Sequence, residues 1–325
     1  MKKLSLSIIA KNEEQMIEEA LKSCQGVDEI IILDTGSTDK TIEIGQKYGT
    51  VLTHYKWNDN FSESRNECKK HCTGDWLLII DADEILNSPV SQLKNMINSA
   101  WTDKYDLLLF DVHTPIECNE QPRLIRNLPN IWYYGAAHNL PRYFPEGLEH
   151  PEKSQTIPHE KAFKTSYTVT ARVSPQHAAD PDRTLRILEK ALRNDPMNTR
   201  NLYYYIREWL NRQDPYRALY YLDRYFRISG FTNECADAHF IAATCHLDLG
   251  DPMKAVNECM EAIKILPSFR APYELMERLA HPEMRKYWQR FAGNVDNKAV
   301  LFIRDLKKIE QQNRIKRPQM KVIKK

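Results

Sequence analysis

The sequence has little glycine and lacks the motifs on which glycine-rich phosphate-binding loops depend. Only 10 glycines occur among 325 residues, and neither GxGxxG nor GxxxxGK[ST] is present. These loops need glycine so that the backbone can approach a phosphate closely. Their absence removes the usual sequence evidence for a dinucleotide-dependent dehydrogenase or a P-loop NTPase.

Long hydrophobic runs and paired cysteines are also missing. No uncharged apolar stretch approaches the roughly 18 to 20 residues that a membrane-crossing helix needs. The first apolar run, residues 4–10, is cut short by Lys11-Asn-Glu-Glu14, so we expect a strand there and neither a secretory signal nor a transmembrane segment. The seven cysteines include no CxxC pair, which predicts reduced thiols in a cytoplasmic protein.

Charge is nearly balanced overall but is unevenly distributed. The net charge is +2, yet residues 304–325 hold nine Lys or Arg against two acidic residues. A basic end of this kind is usually a solvated segment, and its functional alternative is attraction to an anionic lipid surface or to nucleic acid. At roughly 100 to 200 residues per domain, the length predicts two globular domains.

The first third of the chain has the pattern of an α/β domain. Residues 1 to about 112 alternate β-branched runs with helical patterns, which predicts a parallel sheet with helices on its faces. The predicted strands cover 4–10, 27–33, 51–55, 75–80 and 106–112. Residues 113–170 contain seven prolines among short aromatic runs, and we interpret them as a covering loop region rather than core.

Helical periodicity and a weak repeat follow Pro175. Similar helices open at Pro181, Pro215 and Pro252, spacings of 34 and 37 residues, which are typical of tetratricopeptide-like arrays. A plain helical bundle is the alternative. The predicted domains are 1–170 for the α/β domain, 175–295 for the helical repeats and 296–325 for a C-terminal helix with the basic tail.

Polar clusters follow the predicted strands, where ligands of open parallel sheets bind. They are Lys11-Asn-Glu13, Asp34-Thr-Gly-Ser37, Trp57-Asn-Asp-Asn-Phe-Ser62 and Asp81-Ala-Asp83. Because strand side chains alternate, we expect Asp81 and Asp83 to project into the same opening. Carboxylates there suit a ribose or sugar together with an oxygen-ligated ion such as Mg²⁺ or Mn²⁺.

Four ordered motifs carry a resemblance to a known family; they span residues 4–14, 27–39, 57–66 and 73–84. Together they resemble family 2 glycosyltransferases, in particular the bacterial branch that carries tetratricopeptide-like repeats behind a GT-A domain. The resemblance implies a GT-A α/β domain followed by an all-α repeat domain. It also implies an inverting transfer from a nucleotide-diphosphate sugar, expected to be a UDP-sugar, with Mn²⁺ or Mg²⁺ as cofactor.

The resemblance also implies roles for individual residues. Asp83 would ligate the metal, Asp81 would sit against the ribose or sugar, and Arg65 matches the arginine beside the donor. The full implied donor-binding set is Ala10, Asn12, Glu13, Asp34, Thr35, Ser37, Arg65, Asp81 and Ala82. Simpler structural roles remain open, since Asp34 and Ser37 are also suited to helix capping and Arg65 to pairing with Asp81 or Glu63.

The acceptor side departs from the resembled branch. Where that branch has Gly-x-x-His-Glu, this chain has Gly135-Ala-Ala-His138-Asn139. Asparagine cannot act as a base, so His138, Glu146 or a more distant carboxylate must serve, with His138 as the catalytic candidate. By analogy with other GT-A enzymes, His159 is the candidate for a second protein ligand to the metal. Cys68, His71 and Cys72 have no second ligand pair at zinc spacing, which favours packing thiols.

These observations favour a cytoplasmic, metal-dependent glycosyltransferase. Stacked helix pairs create concave surfaces, so a peptide or protein acceptor is the first expectation. Cell-surface glycan precursors come second, and modified nucleic-acid bases third because a basic tail can follow a phosphate backbone. The rivals are a non-catalytic nucleotide-binding adaptor, favoured by Asn139 but opposed by the Asp81 and Asp83 pair, and a nucleotidyltransferase. The sugar and the oligomeric state stay open.

Overall fold

The computed structural model of the chain describes residues 1–115, 118–229 and 232–295. It separates into two compact units, the first spanning Met1–Asn194 and the second beginning at Asp195. The predicted boundary between 170 and 175 stays a prediction, and the predicted C-terminal helix and tail at 296–325 lie outside the described residues. None of the helices within the described ranges is long and apolar enough to cross a membrane.

The first unit combines two sheets with six helices in its described part. Its strands are β1 Leu4–Ala10, β2 Glu29–Asp34, β3 Thr50–Leu52, β4 Trp76–Ile79, β5 Glu84–Leu86, β6 Leu107–His113, β7 Cys118–Arg126, β8 Ile131–Tyr134, β9 Leu140–Tyr143, β10 Gln155–Thr156 and β11 Ala162–Ala171. Its helices are α1 Ile17–Ser23, α2 Thr41–Gln46, α3 Phe61–Lys70, α4 Val90–Ile97, α5 Pro175–Ala179 and α6 Arg183–Asn194.

The large sheet has the order β3-β2-β1-β4-β7-β6-β11-β5, and β8, β9 and β10 form a small separate sheet. β1 pairs in parallel with β2 and β4, and β2 pairs in parallel with β3. β7 runs antiparallel to both β4 and β6, whereas β11 is parallel to β6. The sheet is therefore mixed: β7 and β5 run antiparallel to their neighbours, and the expectation of a parallel sheet holds for the other six strands, which all run in one direction.

The interpretation of 113–170 as a covering loop region is wrong for its two longest strands. β7 lies in the middle of the large sheet, and its Leu124 and Ile125 are buried. Proline normally marks an edge or an irregularity because it cannot donate to the ladder. Here Pro122 lies at a register shift between β6 and β7, which accommodates it inside a central strand. β11 also belongs to the sheet, while β8 and β9 are the short aromatic strands expected.

An apolar layer packs against each face of the large sheet. Leu4, Leu6 and Ile8 of β1 pack with residues of α1 and α4 on one face. The other face buries apolar residues of β2 and β4 against α3 and the small sheet. β1 is buried along almost its whole length, as expected for a strand with parallel neighbours on both sides. This arrangement brings the carboxyl ends of β1, β2 and β4 to one edge.

The second unit is helical, with α7 Thr199–Asn211, α8 Pro215–Ile228, α9 Thr232–Asp248, α10 Pro252–Ile265, α11 Arg270–Leu279 and α12 Pro282–Asn294. Helices α8 and α10 begin alike, with proline in the first turn and an aspartate cap. Ala218 and Ala255, one turn later, are fully buried. The predicted fold class, an α/β GT-A-like domain followed by a helical region, is confirmed.

Candidate functional site

The end of β2 forms a tight polar turn around Asp34. Asp34 is 3% exposed, and its Oδ2 accepts hydrogen bonds from the backbone N–H groups of Gly36 and Ser37, each at 2.9 Å. Gly36 has φ of +106°, a conformation that residues with a Cβ rarely adopt. Asp34 Oδ1 is buried and has no hydrogen-bond partner among the described residues. The turn therefore satisfies one carboxylate oxygen and leaves the other for a donor group.

The loop after β1 is fixed against this turn. The Asn12 N–H donates to Ser37 Oγ at 2.9 Å, and the Glu13 N–H donates to Thr41 Oγ1 at 2.7 Å. Thr35 donates to the carbonyl of Ala10 through its N–H at 2.9 Å. The structure thus brings together the six predicted residues from the first two motifs: Ala10, Asn12, Glu13, Asp34, Thr35 and Ser37.

Asp81 and Asp83 lie in a turn between β4 and β5 rather than on an extended strand. The Asp81 N–H donates to Glu84 Oε2 and the Glu84 N–H donates to the Asp81 carbonyl, both at 2.9 Å. The expected alternation of strand side chains is therefore not what directs the two carboxylates. Asp83 is 8% exposed, and its carbonyl accepts the N–H of Arg172 at 3.1 Å.

A buried charge network supports Asp81. Arg65 Nη2 donates to Asp81 Oδ1 at 2.5 Å, and Arg123 Nη1 lies 3.9 Å from Asp81 Oδ2. Arg123 also pairs with Glu84, whose pKa burial raises to about 7 against the opposing effect of Arg123. The pairing that the sequence left open for Arg65 is the one formed, and it holds Asp81 in a defined orientation.

Arg183, at the start of α6, is a cation influenced by carboxylates from several parts of the first unit. Burial lowers the pKa of its guanidinium, and the nearby carboxylates of Asp180, Glu13, Asp83 and Asp81 oppose that shift. The guanidinium lies over the Phe61 ring, 5.3 Å from its centroid. Among the described residues it makes no ion pair and its side chain donates no hydrogen bond. Arg183 is thus a partly buried cation on which the carboxylates of Asp180, Glu13, Asp83 and Asp81 act electrostatically.

The turn that carries His138 contacts the first residues of α3. The Phe61 N–H donates to the Ala136 carbonyl at 2.9 Å, and Ser62 Oγ donates to the Gly135 carbonyl at 2.5 Å. His138 is exposed and has φ of +49°. Asn60 caps α3 by accepting from the Ser62 N–H at 3.0 Å. The same helix terminus therefore contacts the His138 turn and lies one turn before Arg65. Glu146, the alternative base, pairs with Lys153.

His159 is not brought to Asp83. It precedes β11, whose first residue, Ala162, pairs with Leu107 at the start of β6. The other end of β11 reaches Glu84 and, through Arg172, the carbonyl of Asp83. The residues Ala162 to Thr170 of β11 pair with the seven residues of β6, which at about 3.3 Å per residue separates the two ends by roughly 20 Å. We therefore leave His159 out of the site: the expectation that it ligates the same ion as Asp83 needed β11 to be a short loop.

Sequence reasoning missed two cations of this edge, Arg123 and Arg183. Arg123 lies in the segment interpreted as covering loop, and Arg183 was assigned only to the first repeat helix. No local sequence pattern predicts that either arginine belongs to the site. Their positions depend on the place of β7 in the sheet and on the position of α6 in the first unit. The Pro181-Asp182 pair predicts the helix start that carries Arg183, but it does not predict which residues that side chain faces.

Comparison with known proteins identifies the class. The profile described as Glycosyl transferase family 2 matches residues 5–167, half of the chain, and the chain belongs to this family. This confirms the resemblance carried by the four motifs.

Individual relatives match parts of the chain. A TPR repeat-containing protein of Synechococcus elongatus is 35% identical over 153 residues, covering 43% of this chain and 36% of the relative. The SPbeta prophage-derived glycosyltransferase SunS of Bacillus subtilis is 24% identical over 247 residues, covering 74% of this chain and 56% of the relative. The chain thus spans about a third to just over half of the length of these relatives. Among solved structures, residues 1–349 of Staphylococcus aureus TarS in complex with UDP align at 17% identity over 91% of this chain and 88% of that one, with a TM-score of 0.39.

Proposed function

We propose that the chain is a metal-dependent glycosyltransferase that binds a uridine-diphosphate sugar at the carboxyl edge of β1, β2 and β4. The observation that carries this proposal is the buried, unpartnered Oδ1 of Asp34. Leaving a buried acceptor unpaired costs about 1 to 3 kcal/mol, which a ligand that donates a hydrogen bond would recover. Uracil offers such a donor at its ring N–H, between two carbonyl groups. A carboxylate oxygen therefore favours uracil over cytosine, which has only an acceptor at that position.

A divalent ion fits the residues beside Asp83. Glu13, Asp81 and Asp83 all act electrostatically on Arg183, and carboxylate oxygens are the donors that Mg²⁺ and Mn²⁺ prefer. Mg²⁺ is commonly bound through one or two carboxylates together with substrate phosphates. We assign Asp83 as the protein ligand. When bound, the ion would supply charge neutralisation for a departing diphosphate.

Arg183 is a second group suited to binding the diphosphate of the donor. Asp180, Glu13, Asp83 and Asp81 all act electrostatically on its guanidinium, which presents donors in a planar fork that suits phosphate oxygens. We assign Arg183 to the diphosphate and Arg65 to holding Asp81 in place. A cation that carries charge into a partly buried site stabilises a leaving anion more strongly than one in open solvent.

His138 is the base that we propose for the acceptor. Its turn is fixed to the start of α3 through Gly135 and Ala136, and its exposed side chain is accessible to an incoming acceptor. A neutral imidazole can take the proton of an attacking hydroxyl or thiol. The helical second unit supports a peptide or protein as acceptor, since stacked helices form extended binding surfaces. Asn139 favours one alternative, a nucleotide-binding adaptor without turnover.

Calorimetry of UDP binding with and without Mn²⁺ tests the proposal. We expect Mn²⁺ to raise the affinity of the unchanged chain for UDP, because Asp83 would hold an ion whose charge offsets that of the diphosphate. Asp83→Asn should remove that enhancement. Asp75→Asn is the matched control, since Asp75 precedes the opposite end of β4 and its side chain accepts the Lys3 N–H at 2.7 Å. An Asp83→Asn variant that keeps the full Mn²⁺ effect would contradict the assignment.

A further inference from the structure

Two histidines and a glutamate converge on the exposed side of α3, apart from the residues assigned to the donor. His54 Nε2 lies 3.0 Å from Glu67 Oε1, and His71 Nε2 lies 3.4 Å from the same oxygen. The three ligand atoms all lie within 4.8 Å of one another. His54 lies in the segment between β3 and α3, whereas Glu67 and His71 are one helical turn apart.

The two distances from Glu67 Oε1 match those between neighbouring ligands of a small tetrahedral ion. Bonds of about 2.0 to 2.1 Å to nitrogen and oxygen place neighbouring tetrahedral ligands roughly 3.3 Å apart. The two measured separations from Glu67 Oε1, 3.0 and 3.4 Å, bracket that value. An ion could therefore replace the hydrogen bonds of this cluster with small side-chain movements.

The charge state of Glu67 suits a metal ligand. Hydrogen bonds from His54 and then Lys70 lower the pKa of Glu67 to about 2, so the carboxylate is ionised near neutral pH. Lys70 Nζ lies 3.0 Å from Oε2, which leaves Oε1 to the two imidazoles. The His54 and His71 side chains are 55% and 40% exposed, so an ion has access from solvent.

We propose that His54, Glu67 and His71 form a binding site for a zinc-class transition-metal ion, separate from the ion proposed at Asp83. Two imidazoles and one carboxylate favour Zn²⁺, Ni²⁺ or Cu²⁺, whereas all-oxygen sets favour Mg²⁺ and Mn²⁺. Water would complete the coordination. The site ties the segment that leads into α3 to the last turn of that helix. Positive charge at a helix C-terminus also complements the helix dipole.

The neighbouring cysteines do not take part. Cys68 and Cys72 are 0% and 7% exposed, and Cys68 Sγ accepts from Ser7 Oγ at 3.1 Å inside the core. They are packing thiols, as expected from the sequence. The proposed zinc ligands on this helix are therefore His71 and Glu67 rather than the cysteines. The fold adds His54, which lies 13 residues before Glu67 in the sequence.

Equilibrium dialysis of the full chain against Zn²⁺ in the presence of millimolar Mg²⁺ tests the proposal. We expect one saturable Zn²⁺ per chain that Mg²⁺ does not displace. His54→Ala and His71→Ala should each weaken binding by at least tenfold, because two ligands hold the ion less tightly than three. His113→Ala, which removes an exposed histidine at the end of β6, is the matched control and should bind as the unchanged chain does.

Thermal unfolding provides the second readout. Since His54 and His71 are exposed, we expect both variants to unfold at the temperature of the unchanged chain when a chelator is present. Added Zn²⁺ should raise the unfolding temperature of the unchanged chain and of His113→Ala only. Binding that persists in a variant lacking both His54 and His71, or no saturable binding in the unchanged chain, would overturn the proposal and leave a hydrogen-bonded surface cluster.

Discussion

Asp34 is the residue on which the choice of nucleobase rests. In Asp34→Asn, the amide oxygen can still accept from Gly36 and Ser37, but the group at the Oδ1 position becomes a donor. A donor facing the uracil N–H should lower the affinity for UDP by about ten- to a hundredfold, equivalent to about 1.5 to 3 kcal/mol for a hydrogen bond to a charged group. Affinity for CDP should fall less or rise. Calorimetry with both nucleotides checks the prediction, and equal losses for both would contradict it.

Arg183 carries the prediction for the diphosphate. Arg183→Ala should lower the affinity for UDP by about tenfold while leaving that for uridine unchanged, since only the diphosphate is charged. Arg186→Ala is the control, because Arg186 lies on the same helix but is 59% exposed and pairs with Asp180. The comparison needs UDP and uridine titrations of each variant. Equal losses for UDP and uridine would show that Arg183 supports the fold of the site rather than the phosphates.

At the residue scale, the sequence predicts best the polar residues that directly follow the strands β1 and β2. Asp34, Ser37 and Asn12 were placed at one edge from strand ends alone, and the structure joins them. Arg183 and His54 were not predicted, because no short-range pattern states which distant residue will face a carboxylate. His159, a ligand candidate from the analogy with other GT-A enzymes, is not brought to Asp83, because the ten-residue β11 lies between them.

Among the elements, α10 is the helix in which we can test whether close helix packing stabilises the second unit. Ala255 is fully buried in a cluster with Phe240 of α9 and Cys259 of its own helix. Ala255→Leu should reduce the free energy of unfolding by about 1 to 3 kcal/mol, because added methylenes find no space in a packed core. Met253→Leu is the control, since Met253 is 70% exposed on the same helix. Denaturant unfolding of both variants measures their free energies of unfolding. An Ala255→Leu variant as stable as the unchanged chain would contradict close packing at this position.

The elements also show why some strands are predictable and others are not. β1 matches its prediction at both ends, because an apolar run of seven residues between Lys3 and Lys11 has the length of a strand and not of a helix. β7 carries a proline and returns from outside the parallel part of the sheet, so its central position follows only from pairing with β4 and β6. The Asp-Pro starts of α8 and α10 were recognisable, since capping is a local interaction.

At the scale of the whole molecule, we predict that the basic tail is dispensable for donor binding. Residues 304–325 hold nine basic side chains, whereas the proposed donor site uses residues from 10 to 183. Removing the tail should leave the UDP affinity within twofold of that of the full chain at 150 mM salt. Calorimetry of the shortened chain is the measurement. A loss of binding would place part of the donor site in the tail.

The central claim, that this family 2 member transfers sugar from a uridine-diphosphate donor, is tested most directly by a screen of nucleotide sugars with Mn²⁺ or Mg²⁺. Thermal unfolding and release of nucleoside diphosphate are followed together. At a hundredfold excess over its dissociation constant, a true donor should stabilise the chain by about 2.7 kcal/mol. We predict stabilisation by a UDP-sugar, with slow, metal-dependent release of UDP that Asp83→Asn abolishes. A folded chain that no nucleotide sugar stabilises in the presence of metal would contradict the account.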